Sequence, residues 1–191
     1  MKPILVVPLA GLGLRFTDKN YTTPKQMLML DNMHSCLEKT LRSIKNINEF
    51  NVIAYVRDKA VYEHLKKILN KLKVDFHLIL GGKTKSPIET LYKIFTEDHL
   101  FFKNNPNIFV HTLDIDIPKE FTIDTEYPLS TYIFKANSTN YSYVDVDKDG
   151  YVSKIYDQRE VGKYANVGIY GFGGLDDLRK YLDEVLKFIG I

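Results

Sequence analysis

The stretch that decides the fold is residues 2–30, KPILVVPLAGLGLRFTDKNYTTPKQMLML. Residues 4–7, Ile-Leu-Val-Val, form an apolar, β-branched run that is too short for a helix and predicts a buried parallel strand. The strand leads into a turn that contains Gly11 and Gly13, where the missing Cβ atoms let a ligand approach the backbone. Consecutive N–H groups exposed in such a turn can bind an anion. The pattern therefore predicts a strand followed by an anion-binding loop.

Two permanent cations, Arg15 and Lys25, follow this turn. An arginine can bind phosphate oxygens through two parallel hydrogen bonds, whereas a lysine acts as a point charge. Together with the glycine turn, the two cations favour a polyphosphate ligand. The segment has neither the Gly-Lys-Ser/Thr ending of a P-loop nor the third glycine of a dinucleotide-binding fingerprint. The alternative is an ordinary glycine-rich turn with a surface arginine and lysine.

The rest of the first half alternates strands and helices. Residues 51–56 and 74–80 predict further strands, and residues 35–45 and 59–72 predict amphipathic helices, the first of them opened by Ser35 as N-cap. This alternation is typical of a parallel α/β sheet, in which ligands bind at the carboxyl ends of the strands.

A flexible basic loop, residues 81–85, follows the third strand and contains Lys83. Ser86 and Pro87 then predict the N-cap and first position of a helix that includes Thr90. One interpretation of this segment is helix-start chemistry alone. The other is that the loop and the helix start face a ligand at the carboxyl edge of the sheet.

An apolar strand from residue 108 ends in Asp114, and Asp116 follows it. This order places carboxylates at the same sheet edge as the glycine turn. A carboxylate beside phosphates calls for a cation between them, and Mg²⁺ typically binds one or two carboxylates together with phosphate oxygens. The residues therefore favour a magnesium site, and the alternative is an Asx-type turn before Pro118. We expect His111, within the strand, to be packed rather than to bind a ligand.

The second half has a different pattern, with aromatic or branched residues alternating with polar ones. Strands are predicted over residues 129–134, 141–146, 151–156 and 166–170. Residues 175–189 predict a final amphipathic helix whose apolar face consists of Leu178, Leu182, Val185, Leu186 and Ile189.

Composition limits the class of protein. The 191 residues predict a single domain, 1–191, and a net charge of +2 does not indicate a nucleic-acid partner. No apolar run approaches the roughly 20 residues that span a bilayer. Cys36 is the only cysteine, which excludes an internal disulfide framework and favours a reducing, cytoplasmic location. The composition is compatible with either a monomer or a homo-oligomer.

The segment P-L-A-G-L-G-L-R-F followed by T-T-P-K resembles the signature of the sugar-phosphate nucleotidyltransferases, and in particular the T-T-P-K branch of capsule and surface-polysaccharide pathways. The resemblance implies a Rossmann-like, GT-A-type fold: a mostly parallel mixed sheet flanked by helices. It implies that the backbone at residues 9–11 (Leu9, Ala10, Gly11) and at Gly13 binds a nucleoside triphosphate. Arg15 would hold the leaving pyrophosphate, and Lys25 would stabilise the α-phosphate under attack.

Further roles come from the same resemblance. Lys83 and Thr90 would contact the nucleotide, and Asp114 and Asp116 would bind Mg²⁺. The segment around A-N-V-G-I-Y would contact the phosphorylated acceptor, through Asp157, Arg159, Asn166 and Gly168. The sequence departs from the family at Leu14, which replaces a small hydroxyl residue, and at Gln158, which replaces the lysine of an acidic-Lys pair. A further strand with a second metal-binding aspartate, expected after residue 191, is not in this sequence.

The resulting hypothesis is an Mg²⁺-dependent nucleotidyltransferase. It would transfer NMP from CTP, UTP or dTTP to a sugar 1-phosphate or a small non-sugar phosphate and release pyrophosphate, in polysaccharide precursor synthesis. One alternative is a GT-A glycosyltransferase that uses Asp114 and Asp116 to bind a nucleotide sugar. Another is a non-catalytic nucleotide-binding domain.

Overall fold

The computed structural model describes residues 2–11, 22–96, 100–113, 120–126, 130–136, 141–156 and 164–189. Within these residues a single mixed sheet has the strand order β3-β2-β1-β4-β8-β6-β7, and β5 also pairs with β8. The strands are β1 (Ile4–Leu9), β2 (Asn51–Val56), β3 (Asp75–Leu80), β4 (Ile108–His111), β5 (Thr131–Lys135), β6 (Tyr143–Val146), β7 (Val152–Tyr156) and β8 (Tyr164–Phe172). The helices are α1 (Cys36–Ser43), α2 (Lys59–Leu72), α3 (Pro87–Phe95) and α4 (Leu175–Ile189).

The first half of the chain forms the parallel part of the sheet. β1 pairs in parallel with β2 on one side and with β4 on the other, and β2 pairs in parallel with β3. The carboxyl ends of these strands therefore lie at one edge of the sheet. This confirms the expectation of a parallel sheet in which β1, β3 and β4 end at the same edge.

The second half is antiparallel and is organised around β8. Tyr170 of β8 pairs with Val110 of β4 and with Thr131 of β5, so β4 and β5 lie on opposite edges of β8. Ala165, nearer the start of β8, pairs with Tyr143 of β6 and with Phe134 of β5. β4 and β6 thus share one edge of β8, and among the strands named above only β1–β4 pair in parallel.

Helices cover both faces of the parallel part. Along β1, Leu5, Val7 and Leu9 belong to one apolar core, whereas Ile4 and Val6 belong to the other. The first core is closed by α1 and α2 and the second by α3 and α4. This burial on two faces explains why the strand has a continuous apolar run instead of an alternating one.

Local signals fix the helix ends. Ser35, Asp58 and Ser86 cap α1, α2 and α3, each accepting a hydrogen bond from a backbone N–H of the first turn. α4 has the predicted bounds, and Leu178, Leu182 and Leu186 are buried. The expectation for Val185 was wrong, because 38% of this residue is exposed. None of the described helices is long and apolar enough to cross a membrane.

A buried carboxylate joins α1 to α2. Glu38 accepts hydrogen bonds from Arg42 Nε (2.9 Å) and from Lys71 Nζ (3.0 Å). Burial opposes ionisation of Glu38, but these two cations outweigh it and hold the pKa of the carboxyl below its usual value. Beside it, Ser35 Oγ lies 2.7 Å from His64 Nε2, and burial lowers the pKa of His64.

Candidate functional site

The end of β1 leads to exposed backbone at Gly11. Leu9 and Ala10 are buried at 3% and 0% exposure, so their side chains belong to the two cores. Gly11 is exposed, and a Cβ atom added there would meet no atom within 4 Å. The space over Gly11 is therefore open in the part of the chain that the structure describes. Gly13 and Arg15 lie outside the described residues.

The loop after β3 crosses the end of β2 to reach Gly11. Gly11 and Thr84 form a parallel bridge, and Thr84 N donates to Ala10 O (3.1 Å). On the way, the Tyr55 hydroxyl of β2 donates to Gly81 O (2.6 Å). A Cβ atom at Gly81 would overlap that hydroxyl, so the crossing requires glycine at this position. The crossing places Lys83, which is exposed, next to the bridge with Gly11.

Two buried hydroxyl groups hold the crossing loop on α3. Thr84 Oγ1 lies 2.6 Å from Thr90 Oγ1, and Thr90 Oγ1 also donates to Ser86 O (3.1 Å). Thr84 and Thr90 are 2% and 1% exposed. Thr90 therefore attaches the crossing loop to α3 through its contact with Thr84. Its contact with a nucleotide stays a prediction.

Arg57 was not singled out by the sequence reasoning. It directly follows β2, and its Nη1 donates to Gly11 O (3.2 Å). Its Nε donates to Asp58 Oδ2 (3.1 Å), while Asp58 Oδ1 accepts from Val61 N (2.9 Å) at the start of α2. The signal that could have identified it is a cation placed just after the strand that neighbours β1. Arg57 thus adds a positive charge to the edge that contains the glycine loop.

Lys25 opens a 3₁₀ turn, Lys25–Met27, and is half-buried. Met27 packs against the core closed by α1 and α2, and Cys36 N at the start of α1 donates to Leu28 O (2.7 Å). The segment that carries Lys25 is therefore anchored on both helices.

A bulge in β8 marks the acceptor motif. Thr131 and Ile133 of β5 pair with Tyr170 and Asn166, so β8 carries extra residues between these pairs. Gly168, in the bulge, has a φ of 80°, a left-handed backbone that favours glycine. The sequence motif that predicted an acceptor site thus coincides with a break in the regular ladder.

The bulge lies directly beside the end of β4. Thr112 N donates to Gly168 O (2.9 Å), and a Cβ atom at Gly168 would overlap Thr112 Oγ1. Leu113, with a φ of 54°, follows and is the last described residue before Asp114. His111 is fully buried, and its Nδ1 accepts from Leu113 N (3.2 Å), so it is packed as expected.

Asn166 holds the bulge and leaves one donor unused among the described residues. Its Oδ1 accepts from Gly168 N (2.6 Å) and from Thr131 Oγ1 (3.2 Å), which fixes the orientation of the amide. The residue is 3% exposed, and its Nδ2 has no hydrogen-bond partner in the described part of the chain. Buried donors normally have an acceptor. An oxygen of a ligand placed beside the bulge would satisfy this one.

The predicted metal ligands are not among the described residues. Asp114 and Asp116 fall between the described residues 113 and 120, and Asp157 and Arg159 fall between 156 and 164. Within the described ranges no group of three His, Cys, Asp or Glu side chains could hold a metal ion. Two carboxylates after a strand are a donor set that suits Mg²⁺.

The sequence matches no protein-family model and no curated protein. In structure the chain is similar to the nucleoside-diphosphate-sugar pyrophosphorylase from Vibrio cholerae RC9, with a TM-score of 0.73 and 20% identity over 95% of this chain and 78% of that one. It is also similar to a UDP-glucose pyrophosphorylase complexed with UDP-glucose (TM-score 0.68, 16% identity, 96% and 80% of the two chains). The chain shares its fold with these two pyrophosphorylases. A third similar structure is the inositol-1-phosphate CTP transferase from T. maritima (TM-score 0.58, 16% identity, 90% and 70%).

The shared fold confirms the Rossmann-like α/β fold, a mixed sheet flanked by helices, that the sequence predicted. At identities of 16–20% the likeness concerns the fold, and the chemistry has to come from the residues of this chain. Among the described residues, the fold brings the Gly11 loop, Arg57, the crossing loop with Lys83, and the Asn166–Gly168 bulge to the carboxyl edge of the sheet. 

Proposed function

We propose that this chain transfers a nucleoside monophosphate from a nucleoside triphosphate to a phosphorylated small molecule and releases pyrophosphate. The observation that supports this most is the arrangement along the sheet edge. The open backbone at Gly11 follows β1, and the Asn166–Gly168 bulge lies beside the end of β4, the strand paired with β1. A triphosphate bound at the first and an acceptor bound at the second would be adjacent.

The reaction needs little beyond positioning and charge neutralisation. An oxygen of the acceptor phosphate attacks the α-phosphorus, the bond from that phosphorus to its bridging oxygen breaks, and pyrophosphate leaves with that oxygen. The acceptor phosphate is already ionised, so no general base is required. In this proposal Gly11, Gly13 and Arg15 bind the leaving phosphates, and Lys25 stabilises the charge that develops on the α-phosphate.

Magnesium fits the same proposal through Asp114 and Asp116. When bound, Mg²⁺ would neutralise charge on the phosphate oxygens as they approach these carboxylates. The carboxylates themselves would fix the side of the site on which the triphosphate lies. 

The acceptor side of the proposal rests on Asn166. Its Nδ2, which has no partner among the described residues, would donate to an oxygen of the acceptor, and Asp157 and Arg159 would add charged contacts. The acceptor is a sugar 1-phosphate or a small non-sugar phosphate, and the nucleotide is CTP, UTP or dTTP, in the synthesis of polysaccharide precursors. The similar structures include one protein named for a nucleotide sugar, a UDP-glucose pyrophosphorylase, and one named for a non-sugar phosphate, an inositol-1-phosphate CTP transferase.

The proposal is tested by measuring pyrophosphate release from the purified chain with four triphosphates and a set of acceptor phosphates. Lys25→Ala should lower kcat by at least about tenfold, since a charge-stabilising contact in the transition state is lost. Its melting temperature should change little. Lys2→Ala is the control, because Lys2 pairs with Asp75 near the opposite edge of the sheet. Lys25→Ala with wild-type kcat would contradict the mechanism.

A second variant tests the acceptor side. Asn166→Asp keeps an oxygen for Gly168 N and Thr131 Oγ1 but replaces the Nδ2 donor with an acceptor oxygen. We expect the KM for the acceptor to rise and the KM for the triphosphate to stay unchanged. If the wild-type chain instead transfers sugar from a nucleotide sugar without pyrophosphate, the glycosyltransferase alternative applies. Nucleotide binding without any turnover would favour the non-catalytic domain.

A further inference from the structure

The side chain of Arg57 connects three features of the candidate site. It reaches from the end of β2 to Gly11 O through Nη1, at 3.2 Å, and to Asp58 Oδ2 through Nε, at 3.1 Å. It is 19% exposed, so most of its stem is covered by protein. A long side chain that is covered and hydrogen-bonded at two nitrogens has given up much of its rotamer freedom. The Arg57 side chain is therefore held in one position against the loop that contains Gly11.

Arg57 binds the backbone carbonyl oxygen of Gly11. Backbone N–H groups attract a phosphate, whereas a carbonyl oxygen is an acceptor and repels it. In a trans peptide, the form that nearly all non-proline residues adopt, the C=O and the N–H point in opposite directions. A guanidinium that holds the Gly11 carbonyl therefore fixes the orientation of the peptide unit that begins there.

Asp58 uses its two carboxylate oxygens for different purposes. Oδ1 accepts from Val61 N and caps α2, and Oδ2 accepts from Arg57 Nε. Because Val61 N at the start of α2 holds the Asp58 carboxylate, the second oxygen of that carboxylate holds Arg57 in place. The pair thus links the start of a core helix to the orientation of one peptide in the glycine loop.

We propose that Arg57 is a positioning residue which holds the Gly11 peptide in the orientation that binds the triphosphate, and that Asp58 positions Arg57. This inference rests on the proposed function, because it takes a triphosphate as the ligand of the glycine loop. It assigns Arg57 and Asp58 to the triphosphate half of the site and not to the acceptor half. The predicted effects are therefore asymmetric between the two substrates.

The test uses substitutions that separate these bonds. Arg57→Met keeps the stem but removes every donor. Asp58→Asn keeps an oxygen for Val61 N, and asparagine is as good an N-cap as aspartate, but its amide nitrogen cannot accept from Arg57 Nε. Arg42→Met is the matched control, because Arg42 also binds a carboxylate through Nε but lies in the last turn of α1.

We expect Arg57→Met to raise the KM for the triphosphate by about ten- to a hundredfold, the range for loss of a hydrogen bond from a charged donor. The KM for the acceptor should stay within about twofold of wild type on the same reasoning, because the acceptor lies at the β8 bulge. Asp58→Asn should give a smaller rise of the same kind. The double variant should be no worse than Arg57→Met alone, since both changes remove one linkage. Arg57→Lys should recover part of the loss.

The outcomes distinguish this inference from the proposed function. Equal KM values for Arg57→Met and wild type would overturn it, as would a parallel rise in both KM values with a lower melting temperature. If the wild-type chain shows no turnover, calorimetric titration with a non-hydrolysable triphosphate measures the binding affinity in place of the KM. In that case the proposed reaction fails, and weaker triphosphate binding by Arg57→Met but not by Arg42→Met still supports the inference. No triphosphate binding by the wild type would overturn both.

Discussion

The β8 bulge makes a quantitative prediction about Gly168→Ala. Gly168 has a φ of 80°, and an alanine in the left-handed region costs about 1–2 kcal/mol. The added Cβ atom would also overlap Thr112 Oγ1. Thr112 can move that oxygen only by rotating about χ1, which breaks the hydrogen bond from Oγ1 to Gly168 O (3.3 Å). Overpacking of this kind costs about 1–3 kcal/mol, so the variant should lose about 2–5 kcal/mol in total.

The two contributions can be separated in a Thr112→Ala background, where the overlap is absent. There Gly168→Ala should cost only the backbone term of about 1–2 kcal/mol. Urea unfolding of the wild type, both single variants and the double variant gives the coupling free energy, which we expect to be about 1–3 kcal/mol. The single Gly168→Ala variant should also melt roughly 10 °C below wild type, as expected for a chain of this size.

A coupling free energy near zero would refute the reasoning. It would mean that the Cβ atom does not meet Thr112, and therefore that the bulge does not lie against the end of β4 as described. A Gly168→Ala cost below the left-handed penalty would refute the backbone assignment as well.

Four other predictions each concern a single residue. Gly11→Ala should leave the free energy of unfolding within about 0.5 kcal/mol of wild type, because no described atom lies within 4 Å of the added Cβ atom, but it should weaken triphosphate binding in calorimetry. Gly82 has a φ of 84°, so Gly82→Ala should lower the free energy of unfolding in urea by about 1 kcal/mol. Thr90→Val should cost about 1–3 kcal/mol in urea unfolding by leaving the buried Thr84 hydroxyl without its partner; a loss of nucleotide affinity alone would instead favour a direct contact. Burial lowers the pKa of His64, so the imidazole binds a proton more readily in the unfolded chain than in the folded one. The free energy of unfolding should therefore fall as the pH drops below about 6.5. In His64→Gln the melting temperature should decrease less over that pH range.

Local sequence signals predicted much of the fold. The bounds of β2 and α4 were predicted to the residue, and the caps Ser35 and Ser86 were identified, because strand runs and helix starts are encoded by neighbouring residues. The exposure of Val185 could not be read in this way. It depends on how α4 is rotated against the sheet, and the 3.6-residue period allows a neighbouring position at the border of the apolar face.

The sequence predicted candidate residues for the site, and their roles stay predictions. The glycine turn was singled out because glycine before a pair of cations is visible in sequence. The contact of Gly81 with Tyr55 and the hydrogen bond of Arg57 to Gly11 join segments far apart in the chain, and no local pattern encodes them. The prediction that Asp114 binds a metal stays a prediction, since it lies outside the described residues.

The central place of β8 has a consequence for the order in which the molecule is completed. β4, β5 and β6 precede β8 in the chain, yet each pairs with it. During synthesis the ribosome releases the parallel strands early, but the antiparallel ones stay unjoined to them until residues 164–172 emerge. In a nascent chain that stops short of this point, the edge of β4 that later pairs with β8 is open to pairing with other chains.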